Sequence, residues 1–187
     1  MKFNKVNAFV LVLLLGATVA SCKKVAVEEN DEEVLTTLQL TFTPAAGGSS
    51  LVYKFDDPDG PGGNAPTTDQ IVLAPNTTYN VSIAVLNKTA SPVADITSEI
   101  LTEAIAHRFY FIPASGTNIS VSNLSKDVDG ISVGLTSTWT TGAAATGSIQ
   151  VVLRHYPGTP PNKAESDDVS STKSGTDIEA TFATKIQ

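Results

Sequence analysis

The two histidines of this sequence are its side chains best suited to ligate a metal. His107 begins one predicted strand and His155 ends another, and alternation places each on the apolar face of its strand. If these strands are antiparallel neighbours, both imidazoles meet at one end of the fold, where they could ligate haem iron or a transition metal. The alternative is that each ring hydrogen-bonds a loop carbonyl, because no Cys, Met or acidic third ligand stands at a telling spacing. The apolar residues on the two faces are Phe109 and Phe111, and Ile149, Val151 and Leu153.

Two Asp-x-Asp-Gly turns are the other candidate cation sites. Asp57 and Asp59 precede Gly60, and Asp127 and Asp129 precede Gly130. Carboxylates at alternate positions before a glycine can wrap Ca²⁺, but the late glutamate of an EF-hand-type loop is absent from both segments. Asp and Gly are also common turn residues, so plain turns are the alternative interpretation.

Catalytic motifs are lacking, and we expect a non-enzymatic protein. The sequence contains no Gly-x-Ser-x-Gly elbow, no zinc-protease helix motif and no phosphate-binding glycine loop. Its formal net charge is -7, which disfavours nucleic acid as a partner because phosphate contacts need clustered Lys and Arg. Cys22 is the only cysteine, so the chain cannot form an internal disulfide and a buried core must hold the fold.

The sequence around Cys22 indicates export and lipid anchoring. Lys2 and Lys5 precede an apolar stretch that is shorter than the roughly 20 residues of a membrane-spanning helix. The residues from Val19 to Cys22 then resemble the lipobox of bacterial lipoproteins, which implies cleavage after residue 21 and acylation of Cys22. Removal of residues 1–21 takes away two lysines and no acids, so the formal charge moves from -7 to -9.

Residues 22–33 are predicted to be an acidic tether between the anchor and the folded domain. Lys23 and Lys24 follow the cysteine, and a run of like charge follows them that favours a solvated, extended segment (Glu28, Glu29, Asp31, Glu32 and Glu33). Such acidic residues resemble the surface-exposure signals of Bacteroidetes-type lipoproteins. The resemblance implies an outer-membrane location, facing outside, with the bilayer as a partner through Cys22. The alternative is that the acidic residues are only a spacer that holds the domain off the membrane, and a domain on the periplasmic face is then equally compatible.

Alternating apolar residues predict that residues 34–187 form an all-β domain. About nine short strands, separated by Gly-, Pro- and Asp-rich turns, predict an antiparallel β-sandwich. One segment has helical spacing instead, and we expect a short inserted helix from Asp95 to Ala106 with Asp95 as its N-cap. The segment from Pro157 to Gly175 is rich in Pro, Ser and Asp and predicts a long loop that is either mobile or a binding surface.

A motif from Leu73 to Ile83 resembles the tyrosine corner of fibronectin type III and related immunoglobulin-like domains. Leu73, Pro75 and Tyr79 stand at the motif's spacing and lead into an alternating strand. The resemblance implies that the antiparallel β-sandwich is immunoglobulin-like and that Tyr79 is structural, with its hydroxyl hydrogen-bonded to the backbone upstream. The sequence departs from the family because its only tryptophan, Trp139, lies late in the chain and about a hundred residues follow the corner.

These features together predict a membrane-anchored, non-enzymatic surface lipoprotein that acts as a binding or accessory module for an extracellular ligand. The whole chain resembles small secreted Bacteroidetes-type lipoproteins without an assigned activity. The alternative is a lipoprotein that captures haem, a metal or another small nutrient beside an outer-membrane transporter. A hydrolase of unfamiliar type is a third possibility. No cofactor is expected for a binding or accessory module.

Overall fold

The computed structural model describes residues 34–60 and 62–187, which fold as two β-sheets packed into a sandwich with one short helix. The predicted all-β class is confirmed. The leader, Cys22 and the acidic tether lie outside the described residues, so their predicted roles remain predictions. Among the described residues, no helix is both long enough and apolar enough to cross a membrane.

The larger sheet has seven strands, and its spatial order is β3-β2-β1-β5-β9-β8, with β6 added beside β5. All of its pairings are antiparallel. The strands are β1 (Thr37–Pro44), β2 (Leu51–Asp56), β3 (Thr67–Thr68), β5 (Thr78–Asn87), β6 (Ala94–Asp95), β8 (Ile119–Ser122) and β9 (Thr136–Thr141).

The smaller sheet has four strands in the order β4-β11-β10-β7. These are β4 (Ile71–Leu73), β11 (Gly175–Ile186), β10 (Ala145–His155) and β7 (His107–Pro113). The pairing of β4 with β11 is parallel, which departs from the expected purely antiparallel arrangement. The described chain has eleven strands rather than about nine, because β3 and β6 are two-residue strands too short to show alternation.

The core lies between the sheets and is built from alternating side chains of both. In β1 and β5 every second residue is buried, as expected for strands with one face against a core and one against water. Trp139 of β9 is 0% exposed and meets Phe42 edge to face at 5.0 Å between ring centroids. Its indole N–H donates to the hydroxyl of Ser137, which satisfies the one polar group of the ring.

The chain crosses from the smaller to the larger sheet at the segment with the tyrosine-corner motif. Leu73 ends β4, Pro75 lies in the exposed turn, and Tyr79 is the second residue of β5. The Tyr79 ring is 2% exposed, and its hydroxyl oxygen accepts a hydrogen bond of 3.0 Å from the backbone N–H of Ala74. This bond to the upstream backbone is the interaction that defines a tyrosine corner.

The helix α1 (Thr97–Thr102) is shorter than the twelve-residue segment expected from its spacing. Its N-cap position is Ile96 rather than Asp95, which belongs to β6, although the Asp95 carboxylate accepts the N–H of Thr97. Ile100 faces the core and is buried. The chain leaves the helical path at Glu103, and the turn that follows delivers it into β7 at His107.

Candidate functional site

The strands β7 and β10 bring the two histidines together at one end of the sandwich. They pair antiparallel, and the pairing between His107 and His155 lies at that end of the ladder. The two imidazole rings stack with centroids 4.7 Å apart and an angle of 27° between their planes. Both continue the alternation of core residues, Phe109 in β7 and Leu153 in β10. The His107 ring is buried and that of His155 is partly buried. The conditional prediction that the imidazoles meet at one end of the sandwich is therefore confirmed.

A β-bulge in β11 brings a carboxylate to the same place. Leu153 pairs with Ile178, but the next residue of β10, Arg154, pairs with Thr176, so β11 holds one extra residue at this step, Asp177. Thr176 faces outward and its hydroxyl accepts from the Arg154 guanidinium, whereas Asp177 Oδ2 lies 3.8 Å from His107 Nε2. Bulges bend a strand and redirect side chains in this way.

Asp177 was not predicted as part of the site, because regular alternation places its side chain on the face of the strand opposite to that of the buried Ile178. An extra residue reverses the phase of every side chain on one side of it, and periodicity alone does not locate such a residue. The one available signal is Gly175, a glycine at the start of a strand, which is typical of irregular pairing.

The hydrogen bonding of His107 leaves its Nε2 as the nitrogen available for a metal. Its Nδ1–H donates to the backbone carbonyl of Glu103 at 3.1 Å, which assigns the proton to Nδ1 from the surrounding network. Histidines that bind metals typically donate their other ring N–H to a carbonyl or carboxylate, since this bond fixes both tautomer and ring orientation. This is the bond to a loop carbonyl that the alternative interpretation predicted for His107, and it is also the secondary contact that a ligating histidine needs.

Burial keeps both imidazoles neutral at pH 7. His107 is 1% exposed, and desolvation lowers its pKa to about 4. The hydrogen bond to the Glu103 backbone opposes this shift, and the nearby His155 and Lys163 add to it by smaller amounts. Burial also lowers the pKa of His155, although Glu103 opposes that shift. A neutral imidazole offers a lone pair to a metal without first losing a proton, so metal binding does not compete with protonation near neutral pH.

His107, His155 and Asp177 together offer two nitrogen ligands and one oxygen ligand. One ligand atom from each residue lies within 4.8 Å of the others. Ligand atoms about 2.0–2.1 Å from a tetrahedral Zn²⁺ lie roughly 3.3 Å apart, so side-chain shifts of about 1 Å would close this set around an ion. His155 and Asp177 are only partly buried, which gives an ion a route from solvent. The donor types suit Zn²⁺, Cu²⁺ or Ni²⁺ rather than Ca²⁺, which prefers oxygen ligands.

The same geometry disfavours haem, which the sequence left open. Two axial histidines bind haem iron from opposite faces, so the flat macrocycle must lie between their rings. Here the rings stack directly on one another at 4.7 Å, and His107 is 1% exposed. A porphyrin would have to separate two paired strands to enter between the rings.

The two Asp-x-Asp-Gly segments form turns, and in each of them one carboxylate, that of Asp59 or of Asp127, has protein partners. Asp59 is exposed and accepts from the backbone and side-chain N–H groups of Asn64, while Asp57 is partly buried. Asp127 accepts from the backbone N–H groups of Asp129 and Ile131 and forms an ion pair with a lysine. Neither segment gathers three carboxylates among the described residues, so the turn interpretation fits better than calcium.

The β10–β11 loop, residues 156–174, is fastened to the smaller sheet along its length. Arg108 donates to the backbone carbonyls of Ala164 and Glu165, and Arg154 donates to those of Ser171 and Ser174. Backbone carbonyls of the loop are thus held by guanidinium groups of the smaller sheet. The expectation that this loop is mobile or a binding surface stays a prediction.

Comparison of the chain with protein-family models, with curated protein sequences and with solved structures found no match to any of them. The geometry of the described residues is therefore the basis for the functional argument.

Proposed function

We propose that this chain is a membrane-anchored, non-enzymatic lipoprotein whose sandwich domain captures a divalent transition-metal ion. His107, His155 and Asp177 are the proposed ligands. The observation that carries this proposal is the convergence of these three side chains, from three adjacent strands, with ligand atoms within 4.8 Å of one another. The neutral imidazoles, and the carbonyl contact that orients His107, support the same assignment.

Copper and zinc are the metals that we expect this ligand set to prefer. Divalent first-row metals bind N/O sites with affinities that rise to Cu²⁺ and fall again at Zn²⁺. The cluster has no thiolate, since the only cysteine of the sequence is Cys22. We therefore expect one Cu²⁺ per chain, bound more tightly than Zn²⁺, and negligible binding of Ca²⁺.

Metal titration of the mature, metal-stripped protein tests the proposal. Calorimetry with CuCl₂ and ZnCl₂ should give one site, and His155→Ala or Asp177→Ala should weaken binding at least tenfold. Asp129→Ala is a matched control because Asp129 is an exposed acid at a turn outside the cluster. Absence of a one-to-one site, or equal affinity in the wild type and in Asp177→Ala, would refute metal capture by this cluster.

The anchoring half of the proposal rests on the sequence around Cys22. The lipobox-like residues and the acidic tether support an outer-membrane lipoprotein that displays its domain at the cell surface. Labelling of cells with a clickable palmitate should mark the wild type and not Cys22→Ala. Surface exposure is checked by adding protease to intact cells, and protection of the domain until the membrane is opened would place it on the periplasmic side instead.

A metal-capturing lipoprotein needs a route for its cargo, and an outer-membrane transporter is the proposed partner. Affinity purification of the lipidated protein after crosslinking should recover such a transporter. Recovery that is equal for the wild type and for Asp177→Ala would favour an accessory role independent of metal.

A further inference from the structure

Lys163 is the most deeply buried cation of the β10–β11 loop. Its side chain is 1% exposed, although its neighbours in sequence are Pro, Asn, Ala and Glu, which predict a surface loop. The ammonium lies 2.8 Å from Asp127 Oδ2, whose side chain is also 1% exposed. Buried ion pairs of this kind persist only where hydrogen bonds complete the coordination of both groups.

The ammonium of Lys163 donates to the backbone that leads into the metal cluster. It reaches the carbonyl oxygens of Ala104 at 2.6 Å and His107 at 3.0 Å, with a longer contact of 3.4 Å to Ser132. These bonds join the loop to a turn 56–59 residues earlier in the chain. Lys163 therefore holds the backbone at two points, Ala104 and His107, of the turn formed by residues 103–107.

The same turn sets the orientation of the His107 imidazole. Its first residue, Glu103, supplies the carbonyl that accepts the Nδ1–H of His107. A displacement of this turn would break that hydrogen bond and release the ring from its single orientation. The ring faces the cluster only while Glu103 and His107 keep their present separation.

We propose that Lys163 is a positioning residue for the metal site, which it holds in a binding-competent geometry by clamping the turn of residues 103–107. This inference rests on the proposed metal-binding function. Lys163 itself contributes no ligand, because its three donors point to carbonyl oxygens and its charge is balanced by Asp127. Through this residue the β10–β11 loop becomes part of the site, although none of its residues belongs to the ligand cluster.

The test compares Lys163→Met with Lys173→Met in the full mature protein. Methionine keeps much of the lysine volume and removes the donors, and Lys173 is a matched control because it pairs with Asp167 in the same loop while its side chain is 41% exposed. With CuCl₂ as the probe, Lys163→Met should weaken binding at least tenfold and alter the electron paramagnetic resonance spectrum of bound Cu²⁺. Lys173→Met should bind Cu²⁺ with the affinity of the wild type and give the same electron paramagnetic resonance spectrum.

A metal-free readout separates failure of this inference from failure of the proposed function. Imidazole nitrogen NMR should report a single Nδ1–H tautomer for His107 in the wild type and in Lys173→Met, and averaged tautomers in Lys163→Met. If the wild type binds no Cu²⁺ while this contrast holds, the metal function fails and the clamp stands. Unchanged Cu²⁺ affinity, spectrum and tautomer in Lys163→Met would overturn the clamp, even if that variant is less stable. Should Lys163→Met not fold, the double variant Lys163→Met/Asp127→Asn replaces it, because it removes the same donors without leaving the Asp127 carboxylate buried and unpaired, with the same three readouts and the same criteria.

Discussion

Acid should destabilise the metal-free protein well before its carboxylates begin to protonate, because His107 is buried in its neutral form. Burial lowers the pKa of His107 from its ordinary value of 6.5 to about 4 in the folded state. Below pH 6.5 the unfolded chain therefore binds a proton at this residue that the folded chain does not. The free energy of unfolding therefore carries no penalty from His107 above about pH 6.5, and it decreases as the pH falls towards 4.

The size of this loss follows from the difference between the two pKa values. One pKa unit corresponds to about 1.4 kcal/mol, so the full effect is roughly 3 kcal/mol, of which about 2 kcal/mol is lost between pH 7 and pH 5. His155 adds to the loss in the same direction, since burial also lowers its pKa. Five carboxyls have lowered pKa values, and their stabilisation is lost only below about pH 5 (Asp56, Asp59, Asp127, Glu165 and Asp167).

Urea unfolding of the wild type and of His107→Gln, in the presence of a chelator, measures the effect between pH 7 and pH 5. The glutamine keeps a polar side chain and does not titrate. We expect the free energy of unfolding of the wild type to fall by about 2 kcal/mol more over this range than that of the variant. Parallel pH profiles for the two proteins would refute the conclusion that His107 is buried and neutral.

Three further predictions concern the fold. Tyr79→Phe should lower the free energy of unfolding by about 1–3 kcal/mol in urea titrations, because the N–H of Ala74 loses its acceptor. Trp139→Ala should cost about 3–5 kcal/mol, and in the wild type the fluorescence of this single, fully buried tryptophan should resist acrylamide quenching. Gly134→Ala should cost more than about 1 kcal/mol by thermal melting, since φ is +85° and the added Cβ would lie 3.1 Å from Phe109 Cβ; an unchanged melting temperature would contradict that geometry.

Alternation of side chains was sufficient to predict the sandwich, but the meeting of the two histidines could be predicted only on the condition that their strands pair. Each histidine stands at even spacing from the apolar residues of its strand, so the sequence predicts which face of the strand it lies on. Only the pairing of the two strands was uncertain. The shorter elements were not predictable in this way. The two-residue strands β3 and β6 and the parallel pairing of β4 depend on neighbours that are distant in sequence.

The positions of Asp177 and Lys163 could not be predicted, because they depend on tertiary contacts that the sequence does not show. Asp177 faces the cluster because of an irregularity in strand pairing, and Lys163 is buried because Asp127 and three carbonyl groups surround it. A lysine in a Pro- and Ser-rich stretch ordinarily predicts a solvated side chain. The Asp127 turn was singled out as a cation site, and its actual cation is an ammonium of the same chain.

The bulge in β11 also has a genetic consequence. Because the strand holds one more residue than its partner requires, deletion of the single codon for Asp177 would restore regular pairing: Ile178 would stay inward and Thr176 outward. The core would keep every apolar side chain it has now, while the cluster would lose its carboxylate. An ordinary β-sandwich and one with a three-residue ligand set can therefore differ by one inserted codon, so a comparison of related sequences at this site should examine strand length as well as residue identity.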